Sequence, residues 1–370
     1  MKLKNLFKVK TKMALAAFTV AVVLAGCGVG NKAEKASSTE GNEEKTYELT
    51  VGYGQSQGAP LFDIAKHEGF FEDENLKVEG VGFASSADGL NGLQAGKIDI
   101  GLTFGTAAPL TFIANGSDFS VIGGHLEGGH PILVQEKDKN KYKTLEDYKG
   151  KKIGTIRMFT SDIVFRTALT DAGIDWEKDV DIVEFKTGGD LLQALTSGKV
   201  DVAVSAGSQY LQAQKAGLAV VGWSNDLNPT HVCCRVVTRT DLLTEDKGEA
   251  YKRFLKALIR AEQVKNEDPK VAVEAAKTHL KLDDETVNSI VNEPHAHYSS
   301  DPNSHEVKKM WEQMKSIGYI ENADEININE YINIDLYERA LNELIEEYPE
   351  DQYFKDQLDK FNKQNENEGA

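Results

Sequence analysis

Residues 47–53, YELTVGY, alternate apolar and polar side chains with the two-residue period of a strand. At Pro60 the period lengthens. The run PLFDIAKHEGFF places its apolar residues at helical spacing, with proline in the first turn and Gly69 as a stop. A second strand is predicted over 76–83. Ser85 and Ser86 then offer hydroxyls to the free amides of a helix running to residue 95. A third strand over 97–103 leads through Thr106 into a helix with Pro109 near its start. This βαβαβα order implies a mostly parallel sheet. A short strand over 119–124 and the glycine-rich HLEGGH follow, leading to Pro131-Ile132-Leu133-Val134.

The pattern then repeats. LNGLQAGKIDI at 90–100 and LQALTSGKVDV at 192–202 lie 102 residues apart, and the same offset pairs Val51-Gly52 with Ile153-Gly154, Ala59 with Ser161, Phe83 with Phe185 and Asp88 with Asp190. Two copies at one fixed offset predict two similar lobes. In the second, strands are predicted over 152–157, 180–185, 200–205 and 218–223, and helices over 161–172, 191–196 and 209–216. A return strand over 231–238 follows NDLNPT, so the crossings between lobes are expected at 123–131 and 225–231. Beyond Thr240 the period is helical: Tyr251, Phe254, Leu255, Leu258 and Ile259 share one face. Further helices are predicted over 269–280, 284–292, 304–317 and 330–347, packing on the first lobe. Residues 353–370 read as one exposed polar helix and a frayed end.

The first 26 residues carry five lysines, an apolar run over 13–23 and Leu24-Ala25-Gly26 before Cys27, the form of a secretory signal. The apolar run is shorter than the roughly 20 residues of a membrane span. Residues 28–46 offer almost nothing to bury and read as a flexible tether. The expected organisation is a signal at 1–26, a tether at 27–46, lobe 1 at 47–128, lobe 2 at 129–228, a return strand with helices at 229–350 and a polar tail at 351–370.

Charge narrows the partners. The chain carries a formal charge of −17, and loss of the five lysines takes it to −22. Such acidity argues against nucleic acid and against an anionic membrane surface.

In parallel sheets of this kind, ligands bind beyond the carboxyl ends of strands. Loops 54–59, 84–87 and 103–107 of the first unit, with 156–161, 186–189 and 205–208 of the second, would converge if the sheets face each other. They are rich in Ser, Thr, Gln and Gly with one arginine, Arg157, and helix N-termini among them favour a small anion or polar acceptor. Capping alone also accounts for Ser and Thr at such positions. His130 and His231 precede strands at the two crossings, as ligand contacts or as buried structural histidines. His295, His297 and His305 with Glu293 form a looser cluster, either a metal site or loop histidines before a Ser/Asp-Pro turn that need no metal; no metal or cofactor is expected.

Three motifs imitate catalytic or redox sites. Gly54-Gln55-Ser56-Gln57-Gly58 fits G-x-S-x-G between a strand and a helix, but the strands and oxyanion loop that a hydrolase places before its nucleophile are absent. Gly52-x-Gly54 followed by Gly58 is one residue too long for a dinucleotide fingerprint. Cys233-Cys234 cannot form a metal-type spacing or a disulfide framework. The pair reads as small apolar strand residues, a thiol site facing the ligand, or a strained vicinal disulfide, since adjacent Cα atoms lie about 3.8 Å apart.

Leu-Ala-Gly-Cys resembles the lipobox of bacterial lipoproteins, which implies lipid on Cys27 and a membrane anchor. The stretches VGYGQSQGAPLFDIAKHEGFFEDENLKVE, LQAGKIDIG, TLEDYKGKKIGT and LTSGKVDVAV resemble the substrate-binding proteins of ABC importers, in the group handling nitrate, sulfonates, taurine and thiamine-pyrimidine precursors. The resemblance implies a two-lobed α/β periplasmic-binding-protein fold of type II, closing about a two-strand hinge onto a small-molecule ligand. Gln55, Ser56, Ser85, Ser86, Thr103 and Thr106 would be first-lobe contacts. Arg157, Thr160, Ser161, Ser205 and His231 would meet them from the other side.

MFTSD replaces the Ser-Thr-Ser-like run of the family, and Ser205-Ala206-Gly207 its Trp-Glu-Pro-like triplet. HVCCR partly echoes the longer cysteine run of the fungal pyrimidine synthases. The resemblance implies a monomeric, non-enzymatic component delivering solute to a permease and ATPase. The rivals are a pyrimidine-synthase-like or Ser56-dependent enzyme and a ligand-sensing lipoprotein without transport.

Overall fold

The computed structural model describes residues 45–55, 59–278, 280, 282–321 and 323–365. The predicted signal, Cys27, most of the tether and Ser56 lie outside them. In chain order the first half comprises β1 (Tyr47–Gly54), α1 (Pro60–His67), α2 (Phe70–Asp73), β2 (Leu76–Phe83), α3 (Ser86–Gln94), β3 (Ile100–Gly101), α4 (Ala107–Ala114), β4 (Phe119–Gly128) and β5 (Pro131–Gln135). Next come β6 (Lys152–Ile156), α5 (Thr160–Asp171), β7 (Asp181–Phe185), α6 (Gly188–Thr196), β8 (Val202–Val204), α7 (Tyr210–Lys215), β9 (Leu218–Trp223), α8 (Ser224–Leu227) and β10 (Val232–Arg239). The remainder is α9 (Glu245–Glu267), α10 (Pro269–Lys277), α11 (Asp284–Val291), β11 (Ala296–Tyr298), α12 (Ser304–Ser316), α13 (Asp335–Glu347) and α14 (Gln352–Asn365).

Two mixed sheets result, ordered β11-β4-β10-β3-β1-β2 and β7-β6-β8-β5-β9. In each, the first three strands of the repeat run parallel, and the next strand is antiparallel and comes from across a crossing: β10 enters the first sheet and β5 the second. The 102-residue repeat is visible bond by bond. Val51 pairs with Ile100 and Ile153 with Val202. The Asp99 carboxylate accepts the Thr50 amide at 2.9 Å, and Asp201 accepts that of Lys152 at 2.9 Å. The repeated glycine is steric: a Cβ on Gly52 would lie 2.4 Å from Ile98 Cδ1, and one on Gly154 2.4 Å from Leu191 Cδ1.

The first sheet is packed on both sides. One cluster joins β1, α1, α2, α9, α10, α13 and α14, with Phe71 stacked on Phe254 at 5.5 Å. The other joins α3, α4 and α12 around Phe104 and Trp311. The late helices thus pack on the first sheet, and α12 also touches α5 of the second.

Three expectations change. The glycine-rich stretch placed in the first crossing is strand: β4 runs through Gly128, its ladder completed by β10 and by β11, so only residues 129–130 cross. β11 itself falls in the histidine-rich stretch and had no alternation long enough to announce it. The helix expected from 330 begins at Asp335, where the Asn333 side chain accepts the Leu336 amide at 3.2 Å.

The polar tail is also corrected. α14 buries Phe354, Phe361 and Asn365 along one stripe, with Phe361 stacked on Tyr337 at 5.7 Å and the Asn365 amide donating to Asp301 Oδ1 at 2.8 Å. Two aromatics among charged residues suffice to dock a helix whose mean composition is polar. Phe361→Ala is expected to lower the unfolding free energy by about 3–5 kcal/mol. Lys363→Ala, on the exposed side, should stay within about 0.5 kcal/mol in the same urea titration.

Candidate functional site

The two lobes meet at helix N-termini. The α4 and α5 starts converge on one carbonyl of β10: Thr106 Oγ1 donates to Cys233 O at 2.9 Å, and Thr160 Oγ1 donates to the same oxygen at 3.0 Å. The Thr106 amide in turn donates to Thr160 Oγ1 at 3.3 Å, and both threonines are buried. Just before α5, Met158 takes a left-handed backbone (φ 57°), held by its amide's donation to Tyr319 Oη at 3.0 Å. A non-glycine residue in that region is strained and persists only where its surroundings fix it.

Beside this node lies a cavity of about 30 Å³ whose walls include Leu126, His130, Phe159, Ser208, Glu293 and Tyr298. Among the described residues, polar atoms buried around the node and cavity have no protein hydrogen-bond partner: both ring nitrogens of His130, Nε2 of His231 and the hydroxyls of Ser161, Ser205 and Ser208. Buried polar groups are nearly always paired, with protein or with water, so these atoms are free to meet a polar partner. The His130 ring stands edge-on to Phe159 at 5.3 Å and lies 6.0 Å from His231.

Burial lowers the His130 pKa to about 3, helped by the neighbouring His231 ring. His125, edge-on to Tyr298 at 5.6 Å, is lowered to about 3 by burial and by Arg235. His231 is lowered by burial, partly offset by its hydrogen bond with the Asn228 carbonyl. These rings are therefore neutral near pH 7. No lysine or arginine is among the described residues lining the cavity.

The predicted residues divide. Thr106, Thr160, Ser161, Ser205 and His231 are buried where the lobes meet. Thr103 is buried too, but its hydroxyl accepts the Gly54 amide at 2.9 Å and ties β1 to the loop after β3. Ser85 caps α3 through Asp88, and Ser86 is the first, half-buried residue of that helix. At the exposed rim of this turn, Lys186 Nζ of the other lobe lies 3.9 Å from Asp88. Gln55 is exposed and lies over Gly82. Arg157 is not gathered in: its side chain is 70% exposed, 3.7 Å from Glu184. Convergence therefore holds for the loops after β3, β6 and β8.

His130, weighed as a structural histidine, is part of the wall. Phe159 and Ser208 lie in two of the loops expected to converge but were not named as contacts; Glu293, grouped with the histidines, and Tyr298, not anticipated, are brought to the wall by β11 and the turn before it, whose pairing with β4 no local pattern could announce. Glu293 Oε1 accepts from the His295 amide at 3.2 Å and lies 2.7 Å from His295 Nδ1. His295 stacks on Trp223 of the second sheet at 3.9 Å, with ring planes 10° apart. A larger depression of 660 Å³ lies by Tyr47, Glu245 and Asp335, at the amino end of β1, away from the strand ends where ligand loops gather.

A profile of the NMT1-like family matches residues 42–280. The chain belongs to that family. A Bacillus subtilis relative named "Putative aliphatic sulfonates-binding protein" is 30% identical over 252 residues, covering 65% of this NMT1-like chain and 70% of its own. Among solved structures, the periplasmic nitrate-binding protein of Synechocystis superposes with a TM-score of 0.69 at 15% identity, over 81% of this chain and 89% of that one. The alkanesulfonate-binding protein of Xanthomonas axonopodis gives 0.65 at 17% identity, over 78% and 98%. The fold of this NMT1-like protein is the two-lobed α/β periplasmic-binding-protein fold. Among the described residues, no helix is long and apolar enough to cross a membrane.

Neutral buried histidines carry a pH signature. Histidines of the unfolded chain titrate near 6.5, so below that pH the unfolded state takes up protons that the folded His130 refuses, and stability falls as pH drops towards 3. Between pH 6 and 4 the unfolding free energy should fall about 1.4 kcal/mol per pH unit more steeply for the parent than for His130→Asn. Urea titrations at each pH would measure this, and equal slopes would mean that the ring is protonated in the fold.

Proposed function

We propose that this chain is the solute-binding component of an ABC importer, capturing a small polar molecule between its lobes and passing it to the permease and ATPase. The carrying observation is the group of unpartnered buried polar atoms at the meeting of three strand-end loops, beside two short crossings. A 30 Å³ cavity has room for water-sized occupants only, so capture requires the lobes to part and close again. The relatives' names support binding over catalysis. The protein works outside the membrane as a monomer, held by lipid on Cys27; the support for the anchor is the Leu24-Ala25-Gly26-Cys27 run.

Of the two ligand classes, the wall favours the pyrimidine-like one over sulfonate, taurine or nitrate. A buried anion is held best where a cation offsets its charge, and this wall has no lysine or arginine and adds the Glu293 carboxyl group. A flat ring can stack against Phe159, His130 and Tyr298, present amino groups to Glu293, and meet the hydroxyls of Ser205 and Ser208.

A thermal-shift panel of aminopyrimidines, taurine, alkanesulfonates and nitrate separates the classes. An aminopyrimidine at a hundredfold excess over its Kd should stabilise the fold by about 2.7 kcal/mol. Phe159→Ala and His130→Asn should each weaken that binding at least about tenfold, or 1.4 kcal/mol. A response to the anions alone would overturn the ligand class, and a response to none of the panel would count against capture.

A further inference from the structure

The sequence motif left unused by ligand capture is the adjacent pair Cys233-Cys234. Both thiols are free and buried, in β10 immediately after the second crossing. Neighbouring side chains of a regular strand point to opposite faces. Here the β10–β4 ladder shifts register on both sides of Cys234, and the two sulfurs lie 3.3 Å apart. The irregular backbone is pinned by Arg235, fully buried, which donates to the carbonyls of Cys234 at 2.9 Å, Leu126 at 2.8 Å and Asp301 at 2.8 Å. The hydrogen bond between the sulfurs lowers the Cys234 pKa against the effect of burial and raises that of Cys233, so Cys234 is the member of the pair nearer the thiolate that attacks a disulfide.

The peptide joining the two cysteines carries the Cys233 carbonyl, the oxygen on which Thr106 of the first lobe and Thr160 of the second both close. A disulfide between adjacent residues spans Cα atoms about 3.8 Å apart, short of the usual range, so the ring forms only if that peptide reorients. Strained disulfides are the reducible ones. The chemistry of the thiols and the contact between lobes therefore share one peptide group.

We propose that Cys233 and Cys234 are a redox-modified latch: a small disulfide converts them to a vicinal disulfide, and ring closure withdraws the Cys233 carbonyl from Thr106 and Thr160, loosening the closed lobes. The Cys234 thiolate attacks one sulfur of the small disulfide and expels the first thiolate. The Cys233 thiol, losing its proton, then attacks the Cys234 sulfur and expels the second. The two cysteines lose two protons and two electrons in all, and the small disulfide takes them up to become two thiols. A dithiol reverses the step. This inference rests on the two-lobed capture reading, because the latch regulates that closure.

The test incubates the full chain with glutathione disulfide and follows intact mass, peptide mapping and small-angle scattering. The expected result is a loss of about 2 Da, two hydrogens, on the peptide holding Cys233 and Cys234, with an increased radius of gyration that dithiothreitol restores. Cys233→Ala and Cys234→Ala, checked for folding by circular dichroism, should lose no mass on that peptide and keep the reduced protein's radius under the same treatment. Thiols that stay reduced, a mixed glutathione adduct that never resolves, or an oxidised protein as compact as the reduced one would each overturn the latch. None of these readouts involves the transported ligand, so failure of the ligand assignment leaves them standing.

Discussion

Each sheet of this protein is incomplete without a strand from across a crossing. β10 sits between β3 and β4, and β5 between β8 and β9, so both sheets are closed by antiparallel strands that entered from the other lobe. The lobes are thereby joined by two chain segments, residues 129–130 and 224–231, while every ladder stays within its own lobe. A rotation of one lobe against the other can be absorbed in those few torsions without breaking a sheet, which is the physical basis of hinge closure.

The same constraint places polar chemistry where the lobes meet. Strand ends feed helix starts, and helix starts carry hydroxyls because free amides need acceptors. In an isolated helix these hydroxyls would cap their own amides, as Ser85 and Thr187 do at the rim. At the centre, Thr106 and Thr160 close on a β10 carbonyl instead, and Ser161 and Ser205 keep hydroxyls without partners. The histidines beside them are neutral because burial penalises their charged form. A wall of hydroxyls and rings without lysine or arginine selects among ligands by hydrogen bonding and stacking more than by a positive charge. Exposed ion pairs such as Lys77–Glu48, away from this wall, are individually worth little.

Arg235 links the hinge to the helical remainder of the chain. Its donations to Leu126 and Asp301 join β10, β4 and the loop before α12, and Asp301 is itself bound by Asn365 of α14. A guanidinium can satisfy several carbonyls at once in fixed geometry, so one side chain holds an irregular strand in place. The C-terminal helix thus contributes to the base of the hinge, although its composition suggested a solvated tail.

What the sequence determined by itself was the scaffold: the doubled helix-Gly-Lys-strand unit, the parallel order and the late helices. These follow from local periodicity and from an offset that survives because Gly52 and Gly154 admit no side chain and Asp99 and Asp201 bind the same backbone amide in each copy. The site was legible only where a loop's own residues face the meeting of the lobes, as with Thr106, Thr160, Ser161, Ser205 and His231. Tertiary structure alone decided that Arg157 turns to solvent, that Glu293 and Tyr298 join the wall, and that α14 is docked. The reason is one of range: periodicity and capping are set by neighbours within a turn or two, whereas the wall is assembled by a strand pairing between β11 and β4, more than 160 residues apart in the chain.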